Sequence, residues 1–471
     1  MSGRESPRRS EREETLEREI QRLREENERL KQKIEQLEKQ LEEALRAAKR
    51  QAAPHSRGKP QPNPKKPGRK SGADYGPHAC RPVPRRVDEP IAVPLPEQCQ
   101  HCGGAVEFQR TASQYQEEIV RRTWVRRFDI AIGQCQRCGR HIQGRHSLQT
   151  SDALGAAAVQ LGPEALTLAA LMNKQMGLSL GHTQQVLQQG FGLTVSQAGI
   201  CRALARMADQ AEGTYQGLIL TARQSLVNIL DETGWRVGAR LQWMHVAVSE
   251  LVTVYAILPG RGFLQLAWIV GADYGGFLGH DGWAPYYQFR SENVFHQSCL
   301  NHLISRCKDL GEFLSPSAAR FPRAVKSLLQ RALALRDRYG QAEVSLHGLR
   351  TATGRLEAAL DRLLQKDYRC PANVRLANHL AHEQPWLFSF LHCPGLDATN
   401  HQAERAIRGF VIARKVWGGN RTWKGARTQQ ILGSVLRTCR QQDKDSFTRI
   451  VAMLRSPTPQ ILDIVPTSLP P

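Results

Sequence analysis

The chain has 471 residues, with 65 Lys and Arg against 44 Asp and Glu, a formal charge of +21 and 41% hydrophobic residues. At roughly 100–200 residues per domain this is two to four units, with enough apolar content for at least one large core. So strong a positive balance argues against acidic proteins as partners and points to a polyanion, nucleic acid first, because each Lys or Arg that neutralises a phosphate releases counterions. Eleven cysteines, an odd number at low density, exclude the disulfide framework of a secreted scaffold and suit metal ligands or buried thiols in a reducing compartment. The start, MSGRESPRRSEREE, lacks an apolar core, and no run of about 18 apolar residues follows, so export and a membrane span are not expected and the cytosol is.

Residues 1–50 read as a dimerisation helix. Leu16, Leu23, Leu30, Leu37 and Ala44 fall at heptad position d, and Ile20, Asn27, Ile34, Leu41 and Ala48 at a. Such a repeat with charged residues between predicts a coiled coil, and Asn27 at an a position favours a parallel, in-register dimer in which it meets its symmetry mate. The alternative is a lone solvated helix held by i,i+4 pairs. Residues 51–90 form a basic, Pro-rich arm: Lys49 to Gly72 holds eight Lys or Arg and no acid. This composition buries too little surface to fold alone, and Lys65, Lys66, Arg69 and Lys70 could track a phosphate backbone; a solubilising linker is the rival reading.

Residues 91–148 contain two knuckles, Cys99-Gln100-His101-Cys102-Gly103 and Cys135-Gln136-Arg137-Cys138-Gly139. Four thiolates on two tight turns can surround one Zn²⁺ tetrahedrally at about 2.3 Å, closing the shell and making the metal structural. The 32 residues between the knuckles are expected to form a β-hairpin including Ile119, Val120, Trp124, Val125 and Phe128. Residues 149–225 are helical, and GHTQQVLQQGFGLTVSQAGICRALARMADQ reads helix, glycine turn, helix. Gln197, Arg202 and Arg206 could point outward to DNA, although many helical hairpins that only pack look the same.

The acids follow. LVNILDETGWRV is a strand-like run carrying Asp231 and Glu232, which alternation puts on opposite faces. LQWMHVAVSELVTVYAIL supplies its pairing partner, and LAWIVGADYGGFLGHDGWAPY sets Asp281 in a Gly-bounded turn before Cys299 and His302. Glu404 borders the apolar helical face of Ala403, Ile407, Phe410 and Val411. Two strand-associated aspartates and a helix-borne glutamate in a basic protein suit two Mg²⁺ ions, or Mn²⁺, roughly 4 Å apart, acting on a phosphodiester. In that arrangement Asp231 bridges both ions while Asp281 and Glu404 each complete one; Asp397 is a rival third acid. Arg405, Arg408, Arg414, Lys415 and Arg421 could hold DNA along the helix and the loop after it.

DETGWRV, HDGWAPY, CLNHLISRCKDL and AERAIRGFVIARKVW resemble, in order, the central and C-terminal blocks of the IS66-type bacterial transposases, and the zipper, basic arm and double knuckle resemble that family's N-terminal modules. The resemblance implies a DDE transposase with an RNase H-like core whose acidic triad is Asp231, Asp281 and Glu404. It also places Cys299 and His302 at a Cys-x-x-His pair of unsettled role. It implies binding of terminal inverted repeats, hydrolysis at each end, joining of the 3′-OH to target DNA, small accessory proteins encoded by the same element, and a place at the bacterial nucleoid. Two features depart from the family pattern. His280 stands where a small hydroxyl residue is more usual, and Gly418-Gly419-Asn420-Arg421 follows the family's glycine-rich loop only loosely.

The expected architecture is multidomain α+β, with the coiled coil, the zinc-knuckle β module, the helical segment and an RNase H-like α/β catalytic core. Residues 226–310 form the core's first part, 396–455 its C-terminal helices and 456–471 a tail. The 122 residues between Asp281 and Glu404 leave room for a helical insertion at 311–395, with Leu328, Leu329, Ala332, Leu335, Leu356, Leu360, Leu363 and Leu364 at helical spacing. Two alternatives differ in class. One is a non-catalytic DNA-binding protein derived from a transposase; the other is a nuclease or resolvase of branched DNA.

Overall fold

In a computed structural model of the chain, residues 18–30, 33, 83–117, 119, 123–155, 159–290, 292–393 and 395–466 are described. They fall into two units, Met1–Glu117 and Glu118–Pro471. In the first unit, residues 18–30 form a helix, α1, on which Ile20, Leu23 and Leu30 are exposed in the single chain. The other apolar heptad positions lie outside the described residues, as do Lys65, Lys66, Arg69 and Lys70. Around the first knuckle the Cys99 amide donates to the Gly104 carbonyl and the Gly103 amide to the Cys99 carbonyl, both over 2.8 Å. Gly103 takes φ +73° there, a conformation open to glycine at little cost.

The second unit starts with a small hairpin, β1 (Ile132–Gln134) and β2 (His141–Gln143). This corrects the expectation from sequence. The hairpin lies C-terminal to Phe128, and among the described residues from 119 to 131 there is no strand. The turn is made by the second knuckle itself: the Cys135 amide donates to Arg140 O over 2.9 Å and the Gly139 amide to Cys135 O over 2.8 Å. Ile119, Trp124 and Val125 have the composition of strand residues but are exposed, and apolar residues without a covering surface gain little by pairing.

Next come α2 (Pro163–Ala170), extended by a π-turn at Leu171–Gln175, then α3 (Leu180–Phe191) and α4 (Gln197–Gln224). The α3–α4 boundary follows from capping chemistry. Ser179 Oγ accepts from the His182 amide, Gly192 closes α3 at φ 70°, and Ser196 Oγ accepts from the Gly199 amide at the start of α4. Gln197, Arg202 and Arg206 are exposed.

The central sheet contains β3 (Val227–Val237), β4 (Arg240–Val248), β5 (Thr253–Leu258), β6 (Phe277–His280) and β7 (Phe295–Ser298), in spatial order β5-β4-β3-β6-β7. The first three strands are an antiparallel meander, and β6 and β7 run parallel to β3. Gly238 and Ala239, both at positive φ, make the two-residue turn between β3 and β4, a geometry whose twist matches that of the strands. Helix α5 (Phe263–Val270) crosses from β5 to β6. After β7 come α6 (Leu300–Phe313), α7 (Arg320–Gly340), α8 (Leu346–Leu364), α9 (Pro371–Glu383), α10 (His401–Trp417), α11 (Trp423–Gln441) and α12 (Ser446–Arg455).

Both faces of the sheet are covered. Leu230, Ala247, Val254, Ala256 and Leu278 share a core with α4, α5, α11 and α12. Ile229, Trp235, Val237, Met244 and Val246 share the other with α6 to α10. Leu328, Leu329, Ala332, Leu335, Leu356 and Leu360 are buried in that second core, with Leu363 and Leu364 packed at its margin. No described helix is long and apolar enough to cross a membrane.

Candidate active site

Strand alternation decides what each acid on β3 meets. Asp231 shares a face with Ile229 and Trp235, the face under α10, and Glu232 lies on the α5 side. Asp281 follows the last residue of β6, the strand parallel to β3. Its Oδ1 accepts from the Trp283 amide over 2.9 Å, and Gly282 between them holds φ +86°. Glu404 sits in the first turn of α10, its amide bonded to Asn400 O over 3.1 Å.

Electrostatics tie the three acids together. The Asp231 carboxyl is pushed up to about 7 by burial first and then by Glu232, with Asp281 and Glu404 adding to it against a hydrogen bond from the Glu232 amide. Among the described residues no basic side chain pairs with Asp231. Asp397 takes another role: its carboxylate accepts from the Thr399 amide over 3.1 Å and pairs with Arg336 at 3.4 Å and His401 at 3.1 Å. It fastens the entry to α10 to α7.

Around the acids the structure adds Arg261 and Tyr286, which carried no recognisable signal in the sequence, and gives Glu232 and His302 their partners. Glu232, with its side chain 1% exposed, accepts from Arg261 Nε over 2.5 Å and from the Tyr286 hydroxyl. Burial raises its carboxyl above the usual range, and the Tyr286 and Arg261 bonds oppose the rise. Arg261 Nη2 stands 3.7 Å from Asp281 Oδ2, and the guanidinium lies 4.9 Å from the centre of the Trp243 ring and 4.3 Å from that of Trp283. Arg261 therefore joins Glu232 on β3 to Asp281 at the end of β6. His302 Nε2 is 3.7 Å from Glu404 Oε1. A hydrogen bond with the Cys299 side chain, with the nearby Cys299, Glu404 and Asp281, pushes His302 up to about 9 against its desolvation.

Behind Asp281 the sheet is polar but sealed. His280 is fully buried, its Nδ1 accepts from the Gly282 amide over 3.0 Å and its Nε2 meets His296 Nδ1 at 3.1 Å. Burial holds both rings neutral, His280 well below the usual imidazole range and His296 at about 4.

The basic residues divide into two groups. Arg405, Arg408, Lys415 and Arg421 are exposed on α10 and the loop after it. Arg414 instead donates from Nη1 to Thr233 Oγ1 over 3.1 Å and is half-buried against β3. The loop Gly418-Gly419-Asn420-Arg421 joins the sheet: the Asn420 amide donates to Arg236 O over 2.8 Å, the Gly238 amide to Asn420 O over 3.0 Å, and Trp235 Nε1 to Asn420 Oδ1 over 2.8 Å.

Carboxylates are the donors that hard divalent cations take, and of the three acids Asp231 alone has no basic partner among the described residues. Among the described residues, however, no three His, Cys, Asp or Glu side chains stand close enough together to hold a metal. Arg261 and His302 lie against Asp281 and Glu404. In the knuckles, backbone N–H groups of His101 and Cys102 lower the Cys99 thiol, and those of Cys138 and Arg137 lower the Cys135 thiol. Stabilised thiolate is the form that binds zinc.

None of the curated proteins matches the chain. The model of the Transposase IS66 family matches residues 158–428, a span that begins ahead of α2, contains the whole sheet and all three acids, and ends within α11. More than half of the chain is covered, and the protein belongs to the IS66 family of transposases.

Proposed function

We propose that the protein is a DNA transposase of the DDE type, which binds the ends of its element, hydrolyses a phosphodiester at each and joins the freed 3′-OH to target DNA. The observation that supports this reading is the placement of Asp231 on β3, Asp281 just after β6 and Glu404 in the first turn of α10, where Asp281 and Glu404 both add to a rise in the Asp231 carboxyl that burial and Glu232 dominate. The strand order, three antiparallel strands followed by two parallel to the first, supports an RNase H-like core with α7 to α9 as its helical insertion.

Asp231, Asp281 and Glu404 are the residues that would hold two Mg²⁺ or Mn²⁺ ions. Bound there, the ions supply an activated water and stabilise the leaving oxygen. The chain's own residues provide the frame. β3 and β6 fix two carboxylates on adjacent parallel strands, α10 brings the third, and Arg405, Arg408, Lys415 and Arg421 offer phosphate contacts beside it, with Arg414 seated on β3. Lys65, Lys66, Arg69 and Lys70 would add an arm along the DNA, and the α3–α4 pair a further contact through Gln197, Arg202 and Arg206. Cys99, Cys102, Cys135 and Cys138 would hold a structural Zn²⁺, and the heptads of residues 1–50 would pair two chains so that two ends are held at once.

The test is metal-dependent strand transfer with labelled element ends, comparing wild type with Glu404→Gln. Joining by wild type and a loss of about a thousandfold or more in the variant, a typical cost when a group acting directly on the transition state is removed, supports the triad. Equal activity moves the third ligand away from Glu404. DNA binding without nicking in Mg²⁺ or Mn²⁺ by wild type favours a non-catalytic DNA-binding protein.

A further inference from the structure

We propose that Arg261 is a catalytic residue, its terminal N–H groups binding a non-bridging oxygen of the scissile phosphate. The inference rests on the phosphoryl-transfer function proposed above and adds to it a cationic group outside the acidic triad.

Three observations carry it. First, the guanidinium is anchored by one edge only. Nε donates to Glu232 Oε1, and among the described residues neither terminal nitrogen makes a hydrogen bond to the protein. Nη2 faces Asp281 Oδ2 at 3.7 Å, inside ion-pair range but beyond a hydrogen bond. Neutralising the buried Glu232 needs only that Nε–H, because the second Glu232 oxygen takes the Tyr286 hydroxyl. Nη2 therefore remains as a donor directed toward Asp281, and Nη1 also keeps its donors, since neither bonds the protein among the described residues.

Second, the plane of the group is fixed. Trp243 and Trp283 both lie within cation–π distance, and the side chain keeps 29% exposure, so a substrate can reach it. Third, the loop that carries it is held on both sides. His245 Nε2 bonds Gly260 O over 2.9 Å, and the Gly262 amide donates to Gln265 Oε1 over 3.0 Å.

A planar fork of N–H donors matches phosphate oxygens. Donors fixed in advance, where charge accumulates on the equatorial oxygens of the transferring phosphoryl group, stabilise the transition state without reorganising. Glu232 is then a positioning residue that sets the fork through Nε.

The experiment uses the full chain and labelled element ends in saturating Mg²⁺, with end-DNA affinity measured separately in Ca²⁺ and thermal unfolding recorded for each variant. Arg261→Gln is expected to slow strand transfer about 100- to 1000-fold, with end-DNA affinity within about threefold of wild type. Arg261→Lys, which can still pair with Glu232, is expected to keep the wild-type melting temperature yet remain at least about tenfold slow, because an ammonium lacks the fork. Millimolar guanidinium is expected to restore part of the rate to Arg261→Ala and none to Asp231→Asn. Wild-type rates in Arg261→Gln, full activity in Arg261→Lys, or a loss that follows melting temperature or DNA affinity each overturn the inference while leaving the transposase reading intact. An inactive wild type removes both.

Discussion

Gly419 lies against the backbone of Arg236: a Cβ at position 419 would stand 2.5 Å from the Arg236 carbonyl oxygen and 3.2 Å from its nitrogen. Gly419 also holds φ +111°, a region that L side chains rarely enter. Gly419→Ala should therefore destabilise the second unit by about 2–4 kcal/mol, combining backbone strain with the loss of the loop's seat on β3. Asn420→Ala should cost about 1–3 kcal/mol, because the buried Trp235 indole N–H loses its acceptor. Urea unfolding midpoints measure both, and a midpoint for Gly419→Ala equal to wild type would show that the loop does not need its glycine.

Acid should act on the sheet through His245. Burial, with Arg261 adding to it against the Gly260 bond, lowers this ring to about 4, and its Nδ1 is buried with no partner among the described residues. The unfolded chain thus binds the proton more tightly. The stability contributed by the neutral ring is complete above pH ~6.5 and is lost as pH falls toward 4. Asp231 and Glu232, whose carboxyls are raised, respond in the opposite sense, so the signal to read is a difference between proteins. The stability advantage of wild type over His245→Gln should shrink by about 2 kcal/mol between pH 7 and pH 5. A gap that stays constant with pH would mean that the folded ring titrates like the unfolded one.

Zinc content checks the knuckles. Elemental analysis of the purified chain should return one zinc per polypeptide, and Cys99→Ser or Cys135→Ser should lower it well below one, since each removes a ligand from a four-thiolate shell. Chelation should make the knuckle thiols reactive toward a thiol reagent. A zinc-free protein whose Cys99 and Cys135 react freely from the outset would assign these residues to another role.

What could be read from the chain follows the range of the interactions involved. The α3–α4 break at Gly192, the strand bearing Asp231 and the apolar face of α10 depend on neighbours a few residues away, and each leaves a periodic or capping pattern. The Arg261–Glu232 pair, the seat of Gly419 on Arg236 and the Asp397–Arg336 pair join residues distant in sequence. An isolated Arg or Gly gives no sign of its partner. The hairpin was misplaced for a related reason. Ile119, Trp124 and Val125 have strand composition, but composition does not say whether a surface exists to cover them. Strand alternation puts Asp231 and Glu232 on opposite faces, as the structure does, and only the fold shows that Arg261, in the loop after β5, links Glu232 with Asp281.

The order of the acids along the chain has a consequence for synthesis. Asp231 and Asp281 leave the ribosome more than a hundred residues before Glu404, and α6 to α9 are all made before α10, which packs on β3. Closing so long a stretch is slow compared with making local helices. A nascent or truncated polypeptide that stops anywhere in α7, α8 or α9 therefore carries two of the three carboxylates. If those three act together, the growing chain remains chemically inert beside the nucleic acid it is made from until α10 has been made.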